Sequence, residues 1–195
     1  MVSMTDNEPS VIDEGTFTVR RTIRIDAPVE KVWSAVTEPE HISRWFGRTV
    51  LEGTGVGAEG TMTFEGYGDV PIRVEAVDPP RSITYRWGND DALGHLPDRV
   101  DEATSTVFTF TLEPVPGGPV ADGPVSDGPI DGRADGATEL TVVETGFDLT
   151  SDPAANMRAH GEGWVSELDK LVALFAEDGD ALGGDALGRA REGAA

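Results

Sequence analysis

His160, Gly161 and Trp164 stand together in the stretch HGEGWVSELDKL, residues 160–171. An imidazole four residues before an indole shares a helical face with it, so the two place a proton-carrying group beside a large apolar wall. Such a histidine either hydrogen-bonds to a neighbouring strand or loop as a structural group, or meets a ligand as a donor or general acid. Asp69, Arg73, Tyr85 and Glu144 are the polar side chains available as its companions. General acid–base work requires a group within roughly 3 Å of the transferred proton. Sequence does not supply that distance, and no catalytic residue is assigned from it.

Other chemistries find less support. His41, His95 and His160 are isolated from one another, with no HExxH pair, and no serine occupies a GxSxG turn. The chain contains no cysteine, which removes disulfides, thiolate metal ligands and thiol nucleophiles together. GTGVGAEG at 53–60 lacks the lysine of a phosphate-binding loop and precedes no helical pattern, so it reads as a hairpin turn. Residues 114–137 carry carboxylates and a DGPVS/DGPID echo, but not the ligand spacing of a calcium loop. No metal and no cofactor are expected.

The elements that must position His160 follow from periodicity. In TFTVRRTIRID, Phe17, Val19, Ile23 and Ile25 alternate with polar residues as in a strand with one packed face, with Arg21 among them. APVEKVWSAV then changes period: Pro28 suits a first helical turn, and Val29, Val32, Trp33 and Val36 form one stripe. Thr37 and Glu40 have capping-box spacing before a second short helix carrying Ile42, Trp45 and Phe46 and ending near Gly47. Strands are expected at about 48–53, 60–66, 70–78 and 82–87, with Met62 and Phe64, then Ile72, Val74 and Ala76, then Ile83, Tyr85 and Trp87 inward. Their connections are too short for parallel crossovers, so they pair antiparallel. A polar loop spans 88–103, and Phe108, Phe110 and Leu112 share a face of the next strand. After a further strand at 138–146, Ser151 or Asp152 caps a helix opened by Pro153. Within it Met157, Gly161, Trp164, Leu168, Leu171 and Phe175 make a stripe of about five turns that needs a sheet to cover it. Gly161 costs roughly 1 kcal/mol of helix propensity relative to alanine, and permits close approach by a strand or a ligand.

The expected architecture is α+β. A curved antiparallel sheet of about six or seven strands wraps a long C-terminal helix, with two short helices after the first strand. Residues 15–177 form a single domain, preceded by a flexible arm at 1–14, interrupted by a flexible Pro/Gly/Asp-rich insertion at 114–137 and followed by a flexible tail at 178–195. A void is expected where helix, short helices and the 88–103 loop meet. Its candidate lining is Trp45, Phe46, Phe64, Tyr85, Trp87, Phe108, Met157, His160, Gly161 and Trp164.

Acidic residues number 36 against 15 basic, a formal charge of -21. Less than half of that excess lies in the three segments read as unpacked, so the folded portion is itself acidic and repels phosphate backbones and anionic lipid surfaces. Nucleic acid is excluded as a partner. The N-terminus lacks the basic and apolar regions of a signal peptide, and no apolar run is long enough to span a bilayer, so neither secretion nor membrane insertion is expected. A cytoplasmic protein fits these features.

APVEKVWSAVTEPEHISRWF and GFDLTSDPAANMRAHGEGWVSELDKL resemble the START/Bet v 1-like (SRPBCC) superfamily, and within it the branch similar to the activator of the heat-shock-protein-90 ATPase (AHSA-type). Val32, Trp33 and Thr37 in the first segment, and His160, Gly161, Trp164 and Leu168 in the second, carry the likeness. The resemblance implies a helix-grip fold (a sheet gripping one long helix) with an internal hydrophobic cavity. Its members bind lipids or other small apolar molecules, act as enzymes, or assist a chaperone. The expected function is therefore binding of a small, largely hydrophobic or lipid-like ligand. The alternatives are a co-chaperone-like module that binds a chaperone or other protein, and an enzyme acting on a cavity-bound substrate. A homodimer through the sheet edge or outer face is compatible with the pattern.

Overall fold

The computed structural model describes residues 7–116 and 136–181. Eight strands form one antiparallel sheet: β1 (Val11–Asp13), β2 (Thr18–Ile25), β3 (Arg48–Glu52), β4 (Glu59–Phe64), β5 (Gly68–Asp78), β6 (Ser82–Trp87), β7 (Thr106–Val115) and β8 (Ala137–Thr145). Their order is β1-β2-β8-β7-β6-β5-β4-β3. Between β2 and β3 lie α1 (Val29–Thr37) and α2 (Pro39–Ile42), and α3 (Pro153–Ala181) is the last described element. The helix-grip expectation holds, with eight strands where six or seven were expected.

The additional strand comes from the segment expected as a loose arm. Val11, Ile12 and Asp13 pair with Arg20, Val19 and Thr18 of β2. Phe17, expected on the packed face of β2, instead sits in the β1–β2 turn at φ 51° and is exposed. Gly161 is explained here: a side chain on it would crowd Ile12, and its carbonyl accepts a hydrogen bond from Ser10 Oγ at 2.7 Å. The close approach foreseen at this glycine is made by the N-terminal strand.

Alternation places one face of each strand in the core. Val19, Ile23 and Ile25 of β2, Val70, Ile72 and Val74 of β5, Ile83, Tyr85 and Trp87 of β6, Phe108, Phe110 and Leu112 of β7, and Leu140 and Val142 of β8 are all buried. Ala76 breaks the expected pattern. The β5–β6 register shifts between Val74 and Ala76, and this bulge turns Ala76 outward and Val77 inward. Over the core face lie Met157, Trp164, Leu168 and Leu171 of α3, while Val32 and Val36 of α1 pack beside them.

Local polar contacts fix the helices. Asp152 caps α3, its Oδ1 accepting from Ala155 N–H at 3.0 Å. The capping box expected from Thr37 and Glu40 does not form, because Thr37 Oγ1 donates back to Trp33 O at 2.8 Å and Glu38 precedes α2 without a side-chain cap. Trp45 Nε1 donates to Ala35 O and Tyr85 OH to Val36 O, both at 2.9 Å, which pins α1 to the sheet.

Of the segment expected as an insertion, Pro114, Val115 and Ala137 continue the β7–β8 ladder, and 117–135 lie outside the described residues. Likewise, α3 runs to Ala181 through the start of the segment expected as a tail, and 182–195 lie outside the described residues. No helix among the described residues is long and apolar enough to cross a membrane.

Gly60 shows how tightly β3 and β4 pair, since a Cβ there would overlap the Val50 carbonyl. Gly60→Ala is expected to destabilise the protein by about 1–3 kcal/mol, as overpacking against backbone does. The check is a lowered urea midpoint together with loss of amide protection confined first to β3.

Candidate functional site

Three consecutive inward positions of β8 are Leu140, Val142 and Glu144, each 0% exposed. The sheet that buries two aliphatic side chains must therefore bury a carboxylate at the third. It does so by surrounding it with donors. Glu144 Oε1 accepts from Trp87 Nε1 at 2.8 Å, Thr106 Oγ1 at 2.5 Å and His160 Nδ1 at 2.9 Å, and Oε2 accepts from Trp164 Nε1 at 2.8 Å. The residues come from β6, β7 and two successive turns of α3, so this one anion ties the helix to the middle of the sheet. Charge-assisted bonds of this kind are the strong ones, and the His160–Glu144 contact is an ion pair with both side chains at most 2% exposed.

Burial opposes charge on both members, and each overcomes it for the other. Burial would lower the His160 pKa, but the Glu144 carboxylate and then Asp91 push it up to about 10. Burial would raise that of Glu144, but the imidazolium and the donors from His160, Thr106 and Trp164 hold it below the usual carboxylate range. His160 is therefore an imidazolium that donates from Nδ1 to Glu144. Its other nitrogen, Nε2, is buried and has no hydrogen-bond partner. The nearest charge is Asp91 Oδ2 at 3.4 Å, an ionic contact without hydrogen-bond geometry.

Asp91 is placed by its neighbour. Asp90 accepts from Ser151 N–H, Ser151 Oγ and Asn156 Nδ2, each at 2.8 Å, and Asn156 Oδ1 accepts from Ala92 N–H at 3.1 Å. These bonds fasten the loop after β6 to the start of α3, and they hold Asp90 ionised against its burial. The loop thereby presents Asn89 and Asp91 to Tyr67, whose hydroxyl lies 2.6 Å from both Asn89 Oδ1 and Asp91 Oδ1. Desolvation, followed by the bond to Asp91, raises the Tyr67 pKa, so the phenol keeps its proton and donates. The imidazolium and this phenol together hold Asp91 below the usual carboxylate range.

A pocket of ≈ 240 Å³ opens at this place. Phe46, Phe64, Trp87 and Trp164 make its apolar wall, and Tyr67, Asn89, Asp91, His160 and Glu167 its polar one, with Ala159 and Gly163 along α3. The aromatic rings brace each other: Phe46 stands 5.2 Å from Phe64 and 5.4 Å from Trp164, and Trp87 5.9 Å from Trp164.

Of the residues expected to line a void, Phe46, Phe64, Trp87, His160 and Trp164 meet around this pocket. Trp45, Tyr85, Phe108 and Met157 are buried core instead, and Gly161 faces the N-terminal strand. Among the companions considered for His160, Glu144 touches it, while Tyr85 spends its hydroxyl on α1. Arg73 and Asp69 lie elsewhere: Arg73 pairs with Glu75 and Glu102 at 2.7 Å, and Asp69 accepts from Thr63 Oγ1 at 2.6 Å. Strand alternation explains both, since each is one residue from the inward-facing Val70, Ile72 and Val74. Tyr67, Asn89, Asp91, Ala159, Gly163 and Glu167 were not singled out. The first three lie in connections whose path no periodicity specifies, whereas Gly163 and Glu167 follow from the α3 stripe, three and seven residues after His160. Among the described residues no cluster of three or more His, Asp or Glu side chains could hold a metal ion.

Comparison with known proteins agrees with this architecture. The family model described as "Activator of Hsp90 ATPase homolog 1-like protein" matches residues 26–121. A crystal structure of a Mesorhizobium loti protein aligns with a TM-score of 0.58 at 24% identity, covering 82% of this chain and 97% of that one. A solution structure of an Arthrobacter aurescens protein aligns at 0.57 and 20% identity, covering 86% and 91%. DynU16, from the dynemicin biosynthetic locus, aligns at 0.54 and 25% identity over 80% of this chain and 46% of its own, so the present chain spans less than half of that protein. No protein of curated function matches the sequence significantly. With the gripped helix and the paired short helices in agreement with these structures, the chain has the helix-grip fold, and its residues 26–121 are similar to the AHSA-type family.

Proposed function

We propose that this protein binds a small, largely apolar molecule in the pocket between α3, β4, β6 and the loop after β6. Family and fold support a ligand-binding domain as the broad class. The observation that carries the narrower reading is the aromatic wall of Phe46, Phe64, Trp87 and Trp164 around ≈ 240 Å³ of space. An apolar cavity of about 150 Å³ takes up benzene, and drug-sized sites begin near 300 Å³. The volume therefore suits one or two rings, and a long acyl chain would extend beyond it. Expulsion of water from the ring faces supplies the affinity, and the polar wall orients the guest.

Gly163 provides the test. It lines the pocket, and a Cβ built on it meets nothing within 4 Å. Gly163→Leu is expected to fill the space from a helical position while gaining about 0.5–1 kcal/mol of helix propensity. The variant should be at least as resistant to urea as the parent and should lose binding of naphthalene-sized probes by native mass spectrometry or chemical-shift titration. Undiminished binding in that variant would remove the pocket from consideration.

The co-chaperone alternative finds no comparable support. Among the described residues the exposed aliphatic side chains are Val11, Ile12, Val50, Val56, Leu93 and Leu149, and they come from separate stretches of the chain. The enzymatic alternative rests on the same imidazolium as the binding reading, since an acid at the pocket wall serves either.

A further inference from the structure

The Glu144–His160 pair explains the buried carboxylate but leaves half of the imidazolium unused. Nε2 is buried at the pocket wall with a proton to donate and no acceptor in hydrogen-bond geometry. Beside it, Asp91 Oδ1 takes a bond from Tyr67, whereas Oδ2 stands 3.4 Å from Nε2 and accepts no hydrogen bond there. The pocket thus sets one donor and one acceptor next to each other at the edge of an apolar box. A carbonyl can use only the donor, and an ammonium only the acceptor. A hydroxyl uses both at once, because its oxygen accepts while its proton is given away.

Resting on the pocket reading above, the geometry points to a ligand with one or two apolar rings that bears a neutral hydroxyl, accepting from His160 Nε2 and donating to Asp91 Oδ2. Charge narrows the class further. Asp91 and Glu167 line the same wall and disfavour a carboxylate or phosphate, while the His160 imidazolium disfavours a cation at the same point. Lys170, half exposed and outside the lining, pairs with Glu167 at 2.6 Å and offsets that carboxylate in part, so the case against an anion rests chiefly on Asp91.

Four probes of one shape separate the terms: naphthalene, 2-naphthol, 2-methoxynaphthalene and 2-naphthoate, titrated against the full chain at pH 7 by chemical-shift perturbation. The naphthol is expected to bind about tenfold or more tighter than naphthalene, the methyl ether within about threefold of naphthalene, and the naphthoate weakest of all. Asp91 is partly exposed, so Asp91→Ala leaves the core intact. In that variant the naphthol preference, read as the ratio of the two affinities, should shrink to about threefold or less. Equal affinity for naphthol and naphthalene would mean that water alone occupies the polar corner and would overturn the hydroxyl assignment, leaving the apolar pocket standing. Tightest binding of the naphthoate, or a naphthol preference that survives Asp91→Ala, would overturn it too. Failure of all four probes to bind would overturn the pocket reading and this inference together.

Discussion

Glu144→Leu is expected to destabilise the protein by about 3–5 kcal/mol, the range found when one partner of a buried ion pair is removed. The leucine fits an inward β8 position beside Leu140 and Val142, so the loss comes from what surrounds it. Trp164 Nε1, Thr106 Oγ1 and His160 Nδ1 would each lose their acceptor in a place water does not reach, Trp87 Nε1 would be left with Thr106 Oγ1 alone, and His160 would also lose its main counter-charge. Glu144→Gln keeps an acceptor and the shape, and should be less damaging. Glu144→Leu/His160→Leu removes both charges and should recover much of the loss, because an apolar pair needs no desolvated partner. Urea midpoints of the three variants decide the matter. A single Glu144→Leu variant within 1 kcal/mol of the parent would show that the carboxylate does not organise the centre.

Raising the pH should unfold the protein more readily, by on the order of a few kcal/mol between neutrality and pH 10. The sign follows from His160, whose pKa is about 10 in the folded chain against 6.5 for the ordinary imidazole. The folded state keeps its proton where the unfolded chain has lost it. The stabilisation is thus complete below about pH 6.5 and disappears as pH climbs through 10. Glu144 and Asp91 act in the opposite sense: held below the usual range, they stabilise the fold above ordinary carboxylate pKa values and cease to do so on acidification. Greatest resistance to urea is therefore expected between about pH 5 and 6.5. A midpoint flat from pH 6.5 to 10 would contradict a charged His160, and the Glu144→Leu/His160→Leu variant should show that flatness.

Sequence periodicity located the helices and seven of the eight strands because each carries a clear apolar face, as in Ile83, Tyr85 and Trp87 or Phe108, Phe110 and Leu112. It did not find β1, whose three residues are exposed and owe their conformation to pairing with β2 and contact with α3. Nor did it find the bulge that exchanges Ala76 for Val77, because pairing, and not composition, decides a register. At the site, His160 and Trp164 stood out as a helical pair, and Glu144 was one of four companions. Strand parity would have selected it: it alone of the two carboxylates considered shares the inward row of its strand. The 88–103 loop was expected at the void, but Asp91 and Tyr67 were not singled out, because the approach of Asp91 to His160 depends on a path set by Asp90 reaching Ser151 and Asn156, and Tyr67 joins through Asp91. The two glycines of HGEGW illustrate the same limit. Gly161 backs the N-terminal strand and Gly163 lines the pocket, a division that only the azimuth of α3 determines.

Arg21 is buried in β2, and its Nη1 donates to Trp164 O at 2.9 Å and Val165 O at 2.7 Å, while Nη2 meets Asp169 at 2.6 Å. The turn of α3 that carries the indole is thus anchored by an element synthesised well over a hundred residues earlier. Without α3 the sheet would be a trough floored by Trp87, Phe108 and Phe110, and both a guanidinium and a carboxylate would be short of partners. A chain cut before residue 153 would accordingly expose that apolar surface to aggregation and to holdases. Docking of this helix is then what covers an otherwise adhesive sheet.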